Sequence, residues 1–167
     1  MGLERLWADW RSAYVSGDAS DPERERGGCV MCNLVAATDD REALVLERTP
    51  ATITVMNLYP YGSGHVMVAP VRHVPAFDDL SDDENIAVAR AQVRAIRAIR
   101  AAYRPDGLNT GANLGRAAGA GVPGHLHVHV LPRWSGDTNF MTSVGEARVL
   151  PESLRTGYDK LKAAWPG

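Results

Sequence analysis

The 167-residue chain is short of several things, and each shortage excludes a class of protein. It has two cysteines, too few for a disulfide framework, so a small secreted scaffold is excluded and reduced thiols are expected. It has no apolar run long enough to cross a bilayer. Its opening, "MGLERLWADW", carries charge and tryptophan where a signal peptide is apolar. Residue 6 is leucine, where a myristoylation signal needs serine or threonine. An excess of either charge is also missing. Eighteen Lys and Arg against twenty Asp and Glu leave a formal net charge of −2, which offers no basic field to nucleic acid or to an anionic membrane. No internal repeat or low-complexity segment breaks the chain. The expectation is a cytoplasmic protein with neither nucleic acid nor membrane as partner.

What is present is ordinary globular composition, 45% hydrophobic and 23% charged, in a chain long enough for one sizeable core. A single domain over residues 1–167 is expected, with residues 1–28 as an N-terminal arm. In that arm, Leu3, Leu6, Trp7, Trp10 and Tyr14 recur at helical intervals over 3–15, and a polar loop follows to Gly28. Residues 43–48 and 51–57, split by Thr49-Pro50, read as a hairpin. "LYPYGSG" turns the chain into a third strand, "HVMVAP" (65–70). Three strands with no helix between them predict an antiparallel meander.

Residues 81–104 predict the main helix. Ser81 and Glu84 have capping-box spacing, and Pro105 and Gly107 stop it. Ile86, Ala89, Val93, Ile96 and Tyr103 form the expected buried stripe, with Arg90, Arg94, Arg97 and Arg100 on a solvated face. "GLNTGANLG" (107–115) and a last helix from about Glu152 to Ala164 complete the reading. The fold class is α+β: an antiparallel sheet of about five strands with one long helix across it and shorter terminal helices.

The chemistry concentrates in "GHLHVHVLPRW" (124–134). On a strand, alternate side chains share a face, so His125, His127 and His129 form a row with Cα atoms roughly 6.5–7 Å apart, while Leu126, Val128 and Val130 face the core. Packing rarely asks for three imidazoles in register. Two readings remain open from the residues alone. The row binds a catalytic zinc that activates water, or one neutral imidazole is a nucleophile toward phosphorus. The preceding "NLGRAAGAGVPG" (113–124) has four glycines, whose backbone amides can approach an anion, and this favours phosphate chemistry. Arg133 follows and suits a carboxylate or a phosphate. "CVMC" (29–32) has the spacing of half a zinc site, with a redox pair or two idle thiols as alternatives.

"HLHVHVLPRW" resembles the His-φ-His-φ-His-φ-φ signature of the histidine triad (HIT) family of nucleotide hydrolases and transferases, φ being apolar. "VMNLYPYGSGHVMVAPVRHVPAFDDL" (55–80) is similar to that family's nucleoside-binding strand pair, and "GLNTGANLG" to the strand before its phosphate loop. "LERLWADWRSAYV" and "PRWSGDTNFM" are similar to the diadenosine tetraphosphate hydrolase and phosphorylase subgroup. The resemblance implies His127 as the nucleophile at the α-phosphorus of a purine dinucleotide, through a nucleotidyl-histidine intermediate. It implies His129 as a donor to phosphate oxygen, and nucleotide contacts from Asn57, His65, Asn113, Gly119, Gly121 and Val122. Gly121 and Val122 stand where many relatives carry Gln and Ser or Thr, so backbone donors remain but a hydroxyl does not. Relatives with an N-terminal C-x₂-C complete a structural zinc site with two histidines. These match His73 and His125, which would join Cys29 and Cys32. A homodimer is the implied assembly, and Mg²⁺ is kept as a second candidate cofactor. Adenylyl phosphoramidates are the next substrate class. The rivals are a nucleotide-binding module without turnover and a zinc hydrolase using the whole triad as ligands.

Overall fold

A computed structural model describes residues 28–137 and 152–166. The helix expected over 3–15 and nearly all of the 1–28 arm lie outside them. Among the described residues, three α-helices and five strands follow in order: α1 (Val30–Ala36), β1 (Val45–Arg48), β2 (Thr52–Met56), β3 (Val66–Pro70), α2 (Asp82–Tyr103), β4 (Gly107–Gly111), β5 (Val128–Arg133) and α3 (Leu154–Ala163). The strands form one antiparallel sheet in the order β1-β2-β3-β5-β4. The expected meander is its first three strands. The long connection through α2 lets β5 return between β3 and the edge strand β4.

The two faces of the sheet are covered differently, and this positions the site. On one face Val66, Val68, Leu126, Val128 and Val130 pack beneath α2. On the other, Ile53, Val55, Met67 and Ala69 pack with Met31 of the short helix α1. Helix α2 starts as its sequence demands, with a complete Ser81–Glu84 capping box. Helix α3 starts at an Ser153 cap, its hydroxyl accepting from the Thr156 amide.

The buried stripe of α2 corrects the expected one. Val88, Ala91, Ala95, Ala98 and Ile99 face the sheet, whereas Ile86 and Val93 are exposed. Three alanines on that face leave little side-chain bulk between helix and sheet, so the largest apolar residues do not mark the inner side. Nor is Arg94 simply solvated. Its guanidinium grips both oxygens of Glu47 at 2.6 and 2.8 Å, while Arg90, Arg97 and Arg100 are exposed.

Candidate functional site

The regular ladder of β5 begins only at Val128, so His125 and His127 lie on the segment leading into it. Leu126 anchors that segment, donating its amide to the Val74 carbonyl at 2.6 Å. Its side chain faces the α2 core as the alternation requires. The three histidines then part company.

His125 is buried, and its ring nitrogens are engaged outside the other two histidines. Its Nε2–H donates to the Pro70 carbonyl at 2.9 Å. A carbonyl only accepts, so Nδ1 holds the lone pair. That Nδ1 lies 3.4 Å from the Cys29 sulfur and 3.6 Å from that of Cys32, and the Cys32 sulfur lies 3.3 Å from His73 Nδ1. Ligand atoms of all four residues fall within 4.8 Å of one another. A tetrahedral ion with metal–sulfur bonds of about 2.3 Å and metal–nitrogen bonds of about 2.0 Å separates sulfur from nitrogen by about 3.5 Å, so the donors present fit such an ion. Helix α1 makes the half-site: Cys29 is its N-cap residue and Cys32 sits in its first turn. Arg48 ties down the other end, donating to the carbonyls of Leu34, Val35 and Ala37. His127 and His129 are not members of the four-residue group.

His127 donates Nδ1–H to the backbone carbonyl of His125 at 2.8 Å. By the same logic its Nε2 carries the lone pair. The residue is 5% exposed. His129 is partly exposed, its ring 5.0 Å from that of His127. Burial first, and the neighbouring His127 second, push its pKa down to about 4, so it is neutral at physiological pH.

Its tautomer is set by a residue two strands away in sequence. The Tyr61 amide donates to His65 Nδ1 at 3.0 Å. His65 Nε2 therefore carries the hydrogen and donates to His129 Nδ1 at 2.9 Å. His129 is left with Nε2–H, a neutral donor. His65 is fully buried and reaches the site through His129. Asn57 closes the same loop: its Oδ1 accepts from the Tyr59 amide at 3.0 Å, and its Nδ2 lies 3.4 Å from His65 Nδ1.

The glycine-rich stretch turns twice through left-handed backbone, at Gly115 (φ +78°) and Gly119 (φ +86°). Asn113 braces the turn by donating to the Gly119 carbonyl at 3.4 Å. Gly121 is exposed, and a side chain there would meet open space. Val122 packs against the core beneath α1. Arg133 is committed to a carboxylate, holding both oxygens of Asp137 at 2.6 and 2.7 Å. The structure thus gathers His65, His127 and His129 into one constellation and Cys29, Cys32, His73 and His125 into another. The relay from the Tyr61 amide had no sequence signal, because a main-chain donor leaves no residue type to read.

A histidine row at the mouth of a mixed-coverage antiparallel sheet, fed by a glycine-rich turn, defines a histidine triad protein. Residues 39–136 match the HIT domain family, and the chain belongs to it. It is 39% identical over 165 residues to the AP-4-A phosphorylase of Mycobacterium tuberculosis, covering 98% of this chain and 85% of that protein. It is 35% identical over 99 residues to the bifunctional bis(5'-adenosyl)-triphosphatase/adenylylsulfatase FHIT of Arabidopsis thaliana, covering 59% of this chain and 53% of that one. Among solved structures, a Zn-bound histidine triad family protein from Mycobacterium smegmatis matches with a TM-score of 0.66 and 28% identity, over 81% of this chain and 91% of that one.

Proposed function

We propose that this protein cleaves dinucleoside polyphosphates, with diadenosine tetraphosphate as the first choice, at the α-phosphorus. His127 Nε2 attacks that phosphorus, the bond to the bridging oxygen breaks, and a nucleotidyl-histidine forms as ATP departs. Phosphate or water then attacks the same phosphorus and frees His127, giving ADP or AMP. The observation that carries this reading is the 2.8 Å bond from His127 Nδ1–H to the His125 carbonyl. It leaves the opposite nitrogen as a neutral nucleophile without a separate base. His129 Nε2–H donates to the phosphate oxygen that gains charge as the bridge breaks. The turn carrying Asn113, Gly119, Gly121 and Val122 supplies backbone donors around the phosphates, Asn57 shapes the nucleoside side, and His65 acts on the nucleotide through His129. The names of the mycobacterial and plant relatives support the substrate class.

Zinc is the metal we assign to Cys29, Cys32, His73 and His125, supported by the donor set, its spacing and the zinc-bound relative. Four protein ligands close such a site, so its role is structural: it joins α1 to the segment before β5. Mg²⁺, if required, arrives with the polyphosphate. The protein acts as a single-domain homodimer in the cytoplasm. Among the described residues no helix is long and apolar enough to cross a membrane.

Product analysis tests the proposal. Diadenosine tetraphosphate with inorganic phosphate should give ADP and ATP, and without phosphate AMP and ATP if water serves. Symmetric cleavage to two ADP in phosphate-free buffer, or no turnover with tight binding, would overturn it.

A further inference from the structure

The loop between β2 and β3 exposes Leu58, Tyr59 and Tyr61, although a turn requires none of them. Tyr61 stands apart because of what its ring touches. Its centroid lies 4.7 Å from that of His65 and 5.6 Å from that of His129, yet the residue is 48% exposed. The next residue, Gly62, lies over Leu131 of β5, 3.6 Å from its Cδ1 at the side-chain position. The loop therefore folds across the histidine-bearing face. His127, His129 and Tyr61 make a continuous row of rings, spaced 5.0 and 5.6 Å. Beside His129 on the sheet is Gly111, its paired residue on β4, where a side chain would meet open space.

We propose that Tyr61 is a specificity-determining residue whose exposed ring stacks on the base of the departing nucleotide. This rests on the reading of His127 as nucleophile and His129 as donor to the departing oxygen. Whatever is attached to that oxygen extends past His129, and there lie the ring of Tyr61 and the space above Gly111. An aromatic face accepts any nucleobase, and removing one such platform weakens binding substantially. Backbone and side chain of Tyr61 have separable roles. The amide orients His65, and a side-chain substitution leaves that amide in place.

The test compares the parent with Tyr61→Leu and Tyr61→Phe on two substrates. Diadenosine tetraphosphate has a base on its departing half, and adenosine 5′-tetraphosphate has none. Tyr61→Leu should raise KM for the dinucleotide by about tenfold with kcat little changed, leave adenosine tetraphosphate unaffected, and Tyr61→Phe should behave as the parent. An equal rise in KM on both substrates would place the stacked base on the transferred nucleotide and overturn the proposal. So would unchanged KM on both, or a fall in kcat on both, which would make the ring only a wall for His65 and His129. Failure of the parent to turn over either substrate would count against the proposed reaction instead. Titration calorimetry of dinucleotide against adenosine tetraphosphate still reads the stacking in that case, and equal losses of affinity in Tyr61→Leu would refute it.

Discussion

The backbone oxygen of His125 holds Nδ1–H of His127 at 2.8 Å, while the ring of the same His125 offers its own Nδ1 to the sulfurs of Cys29 and Cys32. One residue thus joins the four-ligand group to the proposed nucleophile. The β5 ladder has not begun at this point, so the Leu126 amide, the Pro70 carbonyl and the four-ligand group share the anchoring. Stripping the proposed zinc, or replacing Cys32 by serine, should lower the melting temperature by about 5–15 °C. It should also reduce kcat by about tenfold or more with a smaller change in KM. Calorimetry and steady-state kinetics on metal-loaded and chelated protein check both.

The relay from the Tyr61 amide through His65 makes a second prediction. His65→Phe keeps the shape but leaves His129 Nδ1 without its donor and frees its tautomer. We expect kcat to fall by about 10²-fold, in the range of a lost transition-state donor. Stability should drop by about 1–3 kcal/mol for the unpaired groups. His65→Gln, whose Nε2 can replace the imidazole donor, should recover part of the rate. Nitrogen chemical shifts of His129 report the tautomer directly.

The depressed pKa of His129 carries a pH dependence with a definite sign. In the unfolded chain a histidine takes up its proton near pH 6.5, whereas in the folded protein burial and His127 delay this to about 4. The contribution of a neutral His129 to stability is therefore complete above about pH 6.5. It declines as pH falls toward 4, because the unfolded state binds the proton first. Urea unfolding at several pH values across that window should show the decline, and His129→Asn should flatten it.

Two glycines separate backbone strain from collision. Gly64 (φ +72°) precedes His65, and a Cβ there would lie 2.7 Å from Cε2 of Tyr103. Gly119 (φ +86°) has open space around it. Gly119→Ala should cost about 1 kcal/mol, and Gly64→Ala about 2–3 kcal/mol. Equal costs in a urea titration would contradict the difference in packing.

Residue identity announced the histidine row, the paired cysteines and the helix caps, because each depends on a side-chain type at a fixed spacing. The meander and the α+β class were legible from strand spacing and the caps of α2. What stayed hidden depends on partners distant in sequence or on the main chain. Alanines, not the bulkier Ile86 and Val93, face the sheet from α2. Arg94 finds Glu47 on β1, and Arg133 goes to Asp137. His65 acts through a backbone amide and a histidine 64 positions away. Val122, which the family resemblance implied as a nucleotide contact, is partly buried and packs its side chain against the core beneath α1, leaving its backbone to serve that role.

The most direct measurement quenches the enzyme during turnover of diadenosine tetraphosphate in base, where a phosphorus–nitrogen bond survives, and maps the modified peptide by mass spectrometry. The account predicts one adenylyl group, on His127, and none in a His127→Ala variant that folds as the parent does. An adenylyl group on any other residue, or cleavage by His127→Ala at the parental rate, would contradict it.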